Sequence, residues 1–261
     1  MDEAIVDKVA ARIVARINGE AIDTRPRSVI AIFSGAVSGF AAGREAVSRL
    51  VCSPHALSVL LTPSARRIFG EAPFHELGAA AILDLEPWAD VSEHIQRADL
   101  VLVPTLTMSL AARLALGVMD SPAATLILGA LLGGKSVLGI RDGADPAGQR
   151  GVAMGAIPAG SSALWSLLET RLETLASFGM QLTSKEDFLF ALERRLIAAT
   201  GVKPKLPAAA ATPAGPLPNI VTSLEIQEQA PGSRMVIARG RRLTPQASDF
   251  AARRGLQLEF A

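Results

Sequence analysis

Small and hydroxyl-bearing residues stand directly after the short apolar runs of this chain, and those types at that spacing hold anionic or ring-bearing ligands. Ser34-Gly35-Ala36-Val37-Ser38-Gly39 follows the run Ser28 to Phe33. The missing side chains let backbone N–H groups approach a phosphate, and a helix starting there adds a favourable dipole. This is neither a G-x-G-x-x-G fingerprint nor a Walker loop, since no GK[ST] follows, and an ordinary tight strand-to-helix turn is the competing explanation. Thr62-Pro63-Ser64-Ala65 follows Leu57 to Leu61. Thr62 is a natural helix cap and Pro63 fits a first helical position, so a plain helix start competes with phosphate contact. The longest such stretch is Ala98 to Asp120, where Pro104 stops a strand and Thr105, Thr107 and Ser109 bring three hydroxyls to its end. Met108 among them reads as a packing residue, suited to a ring system. After Ser136 to Ile140, Arg141-Asp142-Gly143 sets a charged pair at the same position in the pattern.

Other chemistries have less to stand on. His55, His75 and His94 have no i, i+4 partner for a metal and read as surface or structural residues. Cys52, the single cysteine, reads as a small core residue and excludes an internal disulfide or a thiolate zinc cluster, which suits a reducing cytoplasm. No nucleophile-elbow motif accompanies a serine.

The elements that position these turns follow from periodicity. The chain has 261 residues, 49% of them hydrophobic, and a net charge of +1. That length supports one main core with a small appendage. Dispersed Lys and Arg leave no basic stripe for nucleic acid. The acidic start, Asp2-Glu3, lacks the features of a secretory signal, and Arg113, Asp120 and Pro122 interrupt the apolar stretch Leu110 to Leu132, so neither export nor membrane insertion is expected. Residues 1–19 form an amphipathic helix with Ile5, Val6, Val9, Ile13 and Ile17 on one face, ended by Asn18-Gly19.

Strands are expected at Ser28 to Phe33, Leu57 to Leu61, Ala80 to Leu83, Asp99 to Val103 and Ser136 to Ile140, separated by helical patterns. Continuous apolar runs of this kind are covered on both faces. The fold class is therefore α/β: a doubly wound, Rossmann-like or flavodoxin-like parallel sheet of five to six strands with flanking helices. Gly160 to Phe178 and Lys185 to Ala199 add helices, which carries the main domain over residues 26–200. Five prolines among alanines mark 201–218 as linker, and 219–261 forms a small C-terminal α/β tail. In that tail Ile220 to Ala230 and Pro245 to Arg254 read as helical, and Met235 to Ala238 and Leu256 to Phe260 as strands. A segment so short is expected to dock on something rather than to stand by itself.

Taken together, Ser34-Gly35, Thr62-Pro63-Ser64-Ala65 and Ala98 to Asp120 resemble the homo-oligomeric flavin-containing cysteine decarboxylase family, which includes phosphopantothenoylcysteine decarboxylases and flavin prenyltransferases. The resemblance covers residues 28 to 145. It implies FMN at the sheet edge, its phosphate near Ser34, Gly35, Ser38, Thr62 and Ser64, and its ring near Thr105, Thr107, Met108 and Ser109. It also implies a homo-oligomer, a trimer or a multiple of trimers. The departures bear on the reaction. The family's substrate-binding asparagine falls on Ser109, which cannot offer both an amide donor and a carbonyl acceptor. One residue is inserted after Pro104, His94-Ile95 lies closer to Ala98-Asp99 than the family's pair, and Ile140 to Asp145 replaces the Pro-x-Met-Asn loop. Gly240 to Gly255 is similar to a C-terminal segment of proteins associated with bacterial microcompartments, and the N-terminal helix has the character of an encapsulation segment.

The expectation is thus a cytoplasmic FMN-binding flavoprotein with a redox or cofactor-supporting role in or beside a microcompartment, partnered by shell or cargo proteins, and not an authentic cysteine decarboxylase. A non-catalytic cargo-organising protein of the same fold is the alternative. An NAD enzyme is disfavoured by the missing glycine fingerprint and by the lack of an acidic ribose ligand after the second strand, where Asp84 follows the third instead.

Overall fold

Six apolar runs form one all-parallel sheet: β1 (Ser28–Phe33), β2 (Ala56–Leu61), β3 (Ala81–Leu83), β4 (Leu100–Val103), β5 (Ser136–Ile140) and β6 (Met180–Thr183). The computed structural model describes residues 3–20, 22–79, 81–86, 89–148, 162–197, 220–221, 225–226 and 229–260. The strand order is β3-β2-β1-β4-β5-β6. The chain steps outward from β1 to β3, returns to lay β4 against the other side of β1, and continues outward to β6. The first five strands lie within one residue of their expected bounds. The sixth was not among the expected runs; it is four residues long and mostly half-buried at the sheet margin.

Alternation along the strands gives each face its own core. Val29, Ala31 and Phe33 point with Leu100, Leu102, Leu138 and Ile140 toward α2 (Phe40–Val51), the short helix α4 (Ala72–His75) and a helix at Phe188–Ile197. Ile30, Ile32, Val101 and Val103, equally buried, point the other way, where α6 (Met108–Ala115) packs on α7 (Pro122–Leu132) and α7 packs on β5. Leu126 and Ile127 of α7 are fully enclosed, which explains why that helix is apolar all round. α3 (Pro63–Phe69) follows β2, α5 (Ser92–Arg97) precedes β4, and α8 (Ser162–Ser177) runs from the far side to β6. The helix Phe188–Ile197 is α9.

An aromatic cluster fastens the first two strand-to-helix turns. Phe40, the first residue of α2, stacks on Phe69 at the end of α3 with 4.0 Å between ring centroids and 7° between planes. Phe74 of α4 meets Phe33 edge-on at 4.7 Å. Offset and edge contacts of this kind add roughly 0.5–1.5 kcal/mol each beyond area burial.

α1 (Glu3–Ile17) packs on α9, but not by its apolar stripe. Ala11 and Ala15 are buried against Ile197 and Phe190, whereas Ile5, Val6, Val9, Ile13 and Ile17 are exposed. The face chosen is the one whose small side chains let two helix axes approach closely. Cys52 also departs from expectation: it is exposed, because it falls at the C-cap where the chain turns away from α2.

Contacts divide the chain into two units, Met1–Asp84 with Val91–Lys203, and Leu85–Asp90 with Pro204–Ala261. The expected linker 201–218 lies outside the described residues. In the second unit β7 (Ile220–Val221) pairs in parallel with β9 (Arg242–Leu243), and β8 (Arg234–Ile237) with β10 (Gln257–Phe260), around α10 (Pro245–Arg253). Ile220-Val221 is therefore strand where a helix was expected. Val221, Ile226, Ile237, Ala247, Ala251 and Leu256 form a core of the unit's own, so the tail is more than a docking strand.

Gly39 is the tightest joint of the main unit. It caps α2 at φ +87°, and a Cβ there would sit 2.1 Å from the carbonyl oxygen of Pro104. Gly39→Ala is expected to cost about 2–4 kcal/mol in urea denaturation. Gly19→Ala, at φ +67° with open space around it, is expected to cost only about 1–2 kcal/mol from backbone strain.

Candidate functional site

In open parallel sheets the crevice for a ligand lies beyond the carboxyl ends of the strands, where the strand order reverses. Here that point is between β1 and β4. Their in-register pairing, Val29 with Leu100 through Ala31 with Leu102, brings the turns that follow the two strands side by side.

Ser34 and Thr105 join those turns. The Ser34 N–H donates to Thr105 Oγ1 at 2.7 Å, and Thr105 Oγ1 donates to the Ser34 carbonyl at 3.0 Å. Ser34 Oγ donates in turn to the Thr105 carbonyl. Both residues are buried, so both hydroxyls are spent on this clamp and neither is presented outward. Each satisfied buried hydrogen bond contributes roughly 1 kcal/mol net, but an orphaned partner costs about 1–3 kcal/mol.

The other expected residues fall into two groups. Thr62 and Thr107 cap helices: Thr62 Oγ1 accepts from the Ala65 N–H at 3.3 Å and Thr107 Oγ1 from the Leu110 N–H at 3.1 Å. Ser64 and Ser109 are exposed on the first turns of α3 and α6, while Gly35, Ser38 and Met108 are half-buried. A Cβ on Gly35 would lie 3.0 Å from Ser64 Cβ and 3.3 Å from Ile68 Cδ1, which sets the β1 turn directly against the start of α3. The loop after β5 closes on the same place, since a Cβ on Gly143 would meet Ala36 Cβ and the Leu106 carbonyl at 2.6 Å each.

Arg141 and Asp142, the adjacent charges expected at this edge, have separate partners. Arg141 binds Asp145, Nη2 to Oδ2 at 2.7 Å, because one turn of the loop brings that carboxylate onto the guanidinium. Asp142 Oδ2 accepts instead from the Lys185 N–H at 3.1 Å, tying the β5 loop to the turn before α9. Asp84 pairs with Arg66 of α3 at 3.1 Å.

Two residues at this edge were not singled out from the sequence. Val37 is 70% exposed and Ile68 52% exposed, large apolar side chains left in solvent beside Gly35 and Ser64. Ile68 stands four residues after Ser64, hence on the same helical face, and that spacing was the available signal. The edge therefore combines exposed hydroxyls, exposed aliphatic side chains and the positive ends of α2 and α6. None of these side chains titrates near neutrality, so the edge is equipped to bind and orient rather than to move protons. Among the described residues no cluster of three or more His, Cys, Asp or Glu could hold a metal, and no helix is long and apolar enough to cross a membrane.

No protein-family model and no curated protein matches this chain. Similar solved structures include an FMN-dependent cysteine decarboxylase of thioviridamide biosynthesis, 20% identical over 65% of this chain and 97% of that one, with a TM-score of 0.49. Another is a dodecameric FMN-dependent UbiX-like decarboxylase from Escherichia coli O157:H7, 15% identical over 60% of this chain and 78% of that one, TM-score 0.44. A third is HAL3 from Cryptococcus neoformans, 17% identical over 66% of this chain and 96% of that one, TM-score 0.45.

The clamp is testable apart from any ligand. Thr105→Val removes the acceptor of the Ser34 N–H and the donor to its carbonyl, and is expected to lower unfolding free energy by about 2–4 kcal/mol. Thr105→Ser keeps the hydroxyl and should recover most of that loss. Equal stabilities for the two variants in urea titrations would contradict the assignment.

Proposed function

We propose that the main unit binds FMN at the β1/β4 edge and that the protein is a flavoprotein with a redox or cofactor-supporting role. The observation that carries this reading is the buried Ser34–Thr105 clamp. It joins two turns at the point of strand reversal while leaving Ser64, Ser109, Val37 and Ile68 facing outward. In this reading Gly35, Ser38, Ser64 and the first turns of α2 and α3 receive the phosphate, where N–H groups and helix dipoles favour an anion. Thr62 and Thr107 hold the helix starts in place, and Ser34 and Thr105 hold the turns. Val37, Ile68, Met108 and Ser109 meet the ring, the aliphatic side chains covering its apolar face and the hydroxyl reaching its polar rim. Bound flavin supplies one- and two-electron chemistry, and the chain supplies position and a water-poor surface.

The fit extends to what the edge lacks. A family asparagine replaced by Ser109 leaves a substrate carboxylate without its amide donor, so binding of the cofactor and decarboxylation of a cysteine come apart. Homo-oligomers, a trimer or multiple of trimers, are part of the proposal. Leu116, Met119, Leu132 and Leu167 stand exposed at the ends of α6 and α7 and on α8, surface that self-association would remove from water. The purified protein is expected to be yellow, or to take up added FMN with the absorbance band of bound oxidised flavin. Ser64→Asp should weaken uptake about tenfold or more by setting a carboxylate beside the phosphate. A colourless protein that leaves added FMN unbound sinks the proposal.

A second reading is favoured by one observation, the exposed aliphatic row of α1. It assigns that helix to docking on shell or cargo proteins of a microcompartment, whether or not the flavin site is active. Deleting residues 2–17 should then abolish co-purification with shell proteins and leave flavin content unchanged. Retained co-purification would refute it.

A further inference from the structure

The other end of the sheet, where the strands begin, has its own converging side chains. α1, the end of α2, the turn after it and α9 surround a cavity of about 450 Å³, within the range of small-molecule sites. It lies roughly the length of β1, about 20 Å, from the clamp at Ser34. Its floor is apolar, made of Leu50, Leu196 and Ile197.

Cations outnumber carboxyl groups in its walls, Lys8, Arg12 and Arg49 against Glu45 and Glu193. Lys8 and Arg12 line the cavity from α1 and make no ion pair among the described residues. Arg49 is already held by Asp7 at 2.7 Å and Glu45 at 2.9 Å. His55 Nδ1 accepts from the Arg27 N–H at 3.0 Å, which leaves the proton of the neutral ring on Nε2. Burial lowers the His55 pKa, and Lys8 and Arg27 lower it further, so the ring is neutral at physiological pH. Glu193 of α9 lines the same cavity with only 5% of its surface exposed, and its Oε2 has no hydrogen-bond partner. Burial raises the Glu193 pKa; Lys8 and Arg49 oppose the rise and Asp7 adds to it. In its acid form that carboxyl is a further donor.

Arg49 and Glu45 answer each other, which leaves Lys8, Arg12 and the His55 ring N–H above an apolar floor, and an anion with an apolar body is the matching ligand. We propose that this cavity binds a small organic carboxylate, its head held by Lys8, His55 and Glu193 and its alkyl body on Leu50, Leu196 and Ile197. The unpartnered Glu193 oxygen is the group that such a head would satisfy.

The sign of the pH dependence follows. Two carboxyl groups in contact need one shared proton, so binding takes up a proton at Glu193, a change that burial of that group already favours and that rising pH opposes. Affinity for a carboxylate is therefore higher at pH 6 than at pH 8. Calorimetric titration of the full-length protein with acetate, butyrate, hexanoate and inorganic phosphate tests this. The expected result is saturable one-to-one binding that tightens about three- to fourfold per methylene until the floor is covered. Lys8→Met should weaken hexanoate about tenfold. Glu193→Gln, which keeps an N–H donor, should retain binding at pH 6 and lose the difference between pH 6 and 8. No saturable heat with any carboxylate, phosphate binding as tightly as hexanoate, or an unchanged Lys8→Met would each overturn the proposal. Flavin absorbance is not the readout, so these outcomes stand apart from the fate of the FMN site.

Discussion

Two turns are locked to each other by a serine and a threonine that no water reaches, and the arrangement of the sheet edge depends on that lock. Ser34 and Thr105 exchange their hydroxyls and main-chain groups across the point where strand order reverses. Without such an exchange the ends of β1 and β4 would each bury polar groups with nothing to answer them. With it, the backbones come close enough that side chains become obstacles. Gly39 and Gly43 lie against Pro104, and Gly143 lies against Ala36 and the Leu106 carbonyl. The three turns thus behave as one block, and what they present outward is decided by what they have already used inward.

That division explains which parts of the site were legible in the sequence. The turns themselves could be found because a short apolar run followed by small and hydroxyl residues is a local pattern. The partition of their hydroxyls could not, because Ser34 meets Thr105 across 71 positions of chain and nothing local distinguishes a hydroxyl that clamps from one that faces a ligand. Thr62 was legible as a cap, since capping is a contact over three residues, whereas Thr107, which caps α6 by the same contact, was read only as a hydroxyl at the strand end. Arg141 and Asp142 were legible as charges at this edge, but their partners, Asp145 and the Lys185 N–H, are delivered by the folded loops.

The fold was legible to a similar degree, and for the same reason. Five strands announced themselves as buried apolar runs, whereas β6, Met180–Thr183, mixes Gln181 and Thr183 into a half-buried margin and carries no such pattern. The parallel pairing of β7 with β9 rests on two residues in each strand, too few for any periodicity. Cys52 read as core from its composition alone, while its exposure is set by where α2 happens to end.

α1 shows how an amphipathic pattern can identify a helix and mislead about its orientation. Apolar periodicity ranks the faces of a helix by transfer energy, but a helix docking on another also gains from close approach, which Ala11 and Ala15 permit against Ile197 and a row of isoleucines would prevent. Two further ties fix that choice: Asp7 to Arg49 on α2, and Glu20 to Arg194 on α9 at 2.7 Å. Held by these ties and by its small face, α1 cannot turn its aliphatic row inward. The same ties set the spacing of the cavity beside it, since Lys8 and Arg12 occur within the stretch bounded by Asp7 and Ala15. An exposed apolar row and a buried unpaired carboxyl would each be costly in isolation. Ile5 of the row and Glu193 of α9 both line the cavity beside this restrained helix, so anything filling the cavity bears on the element that carries the row.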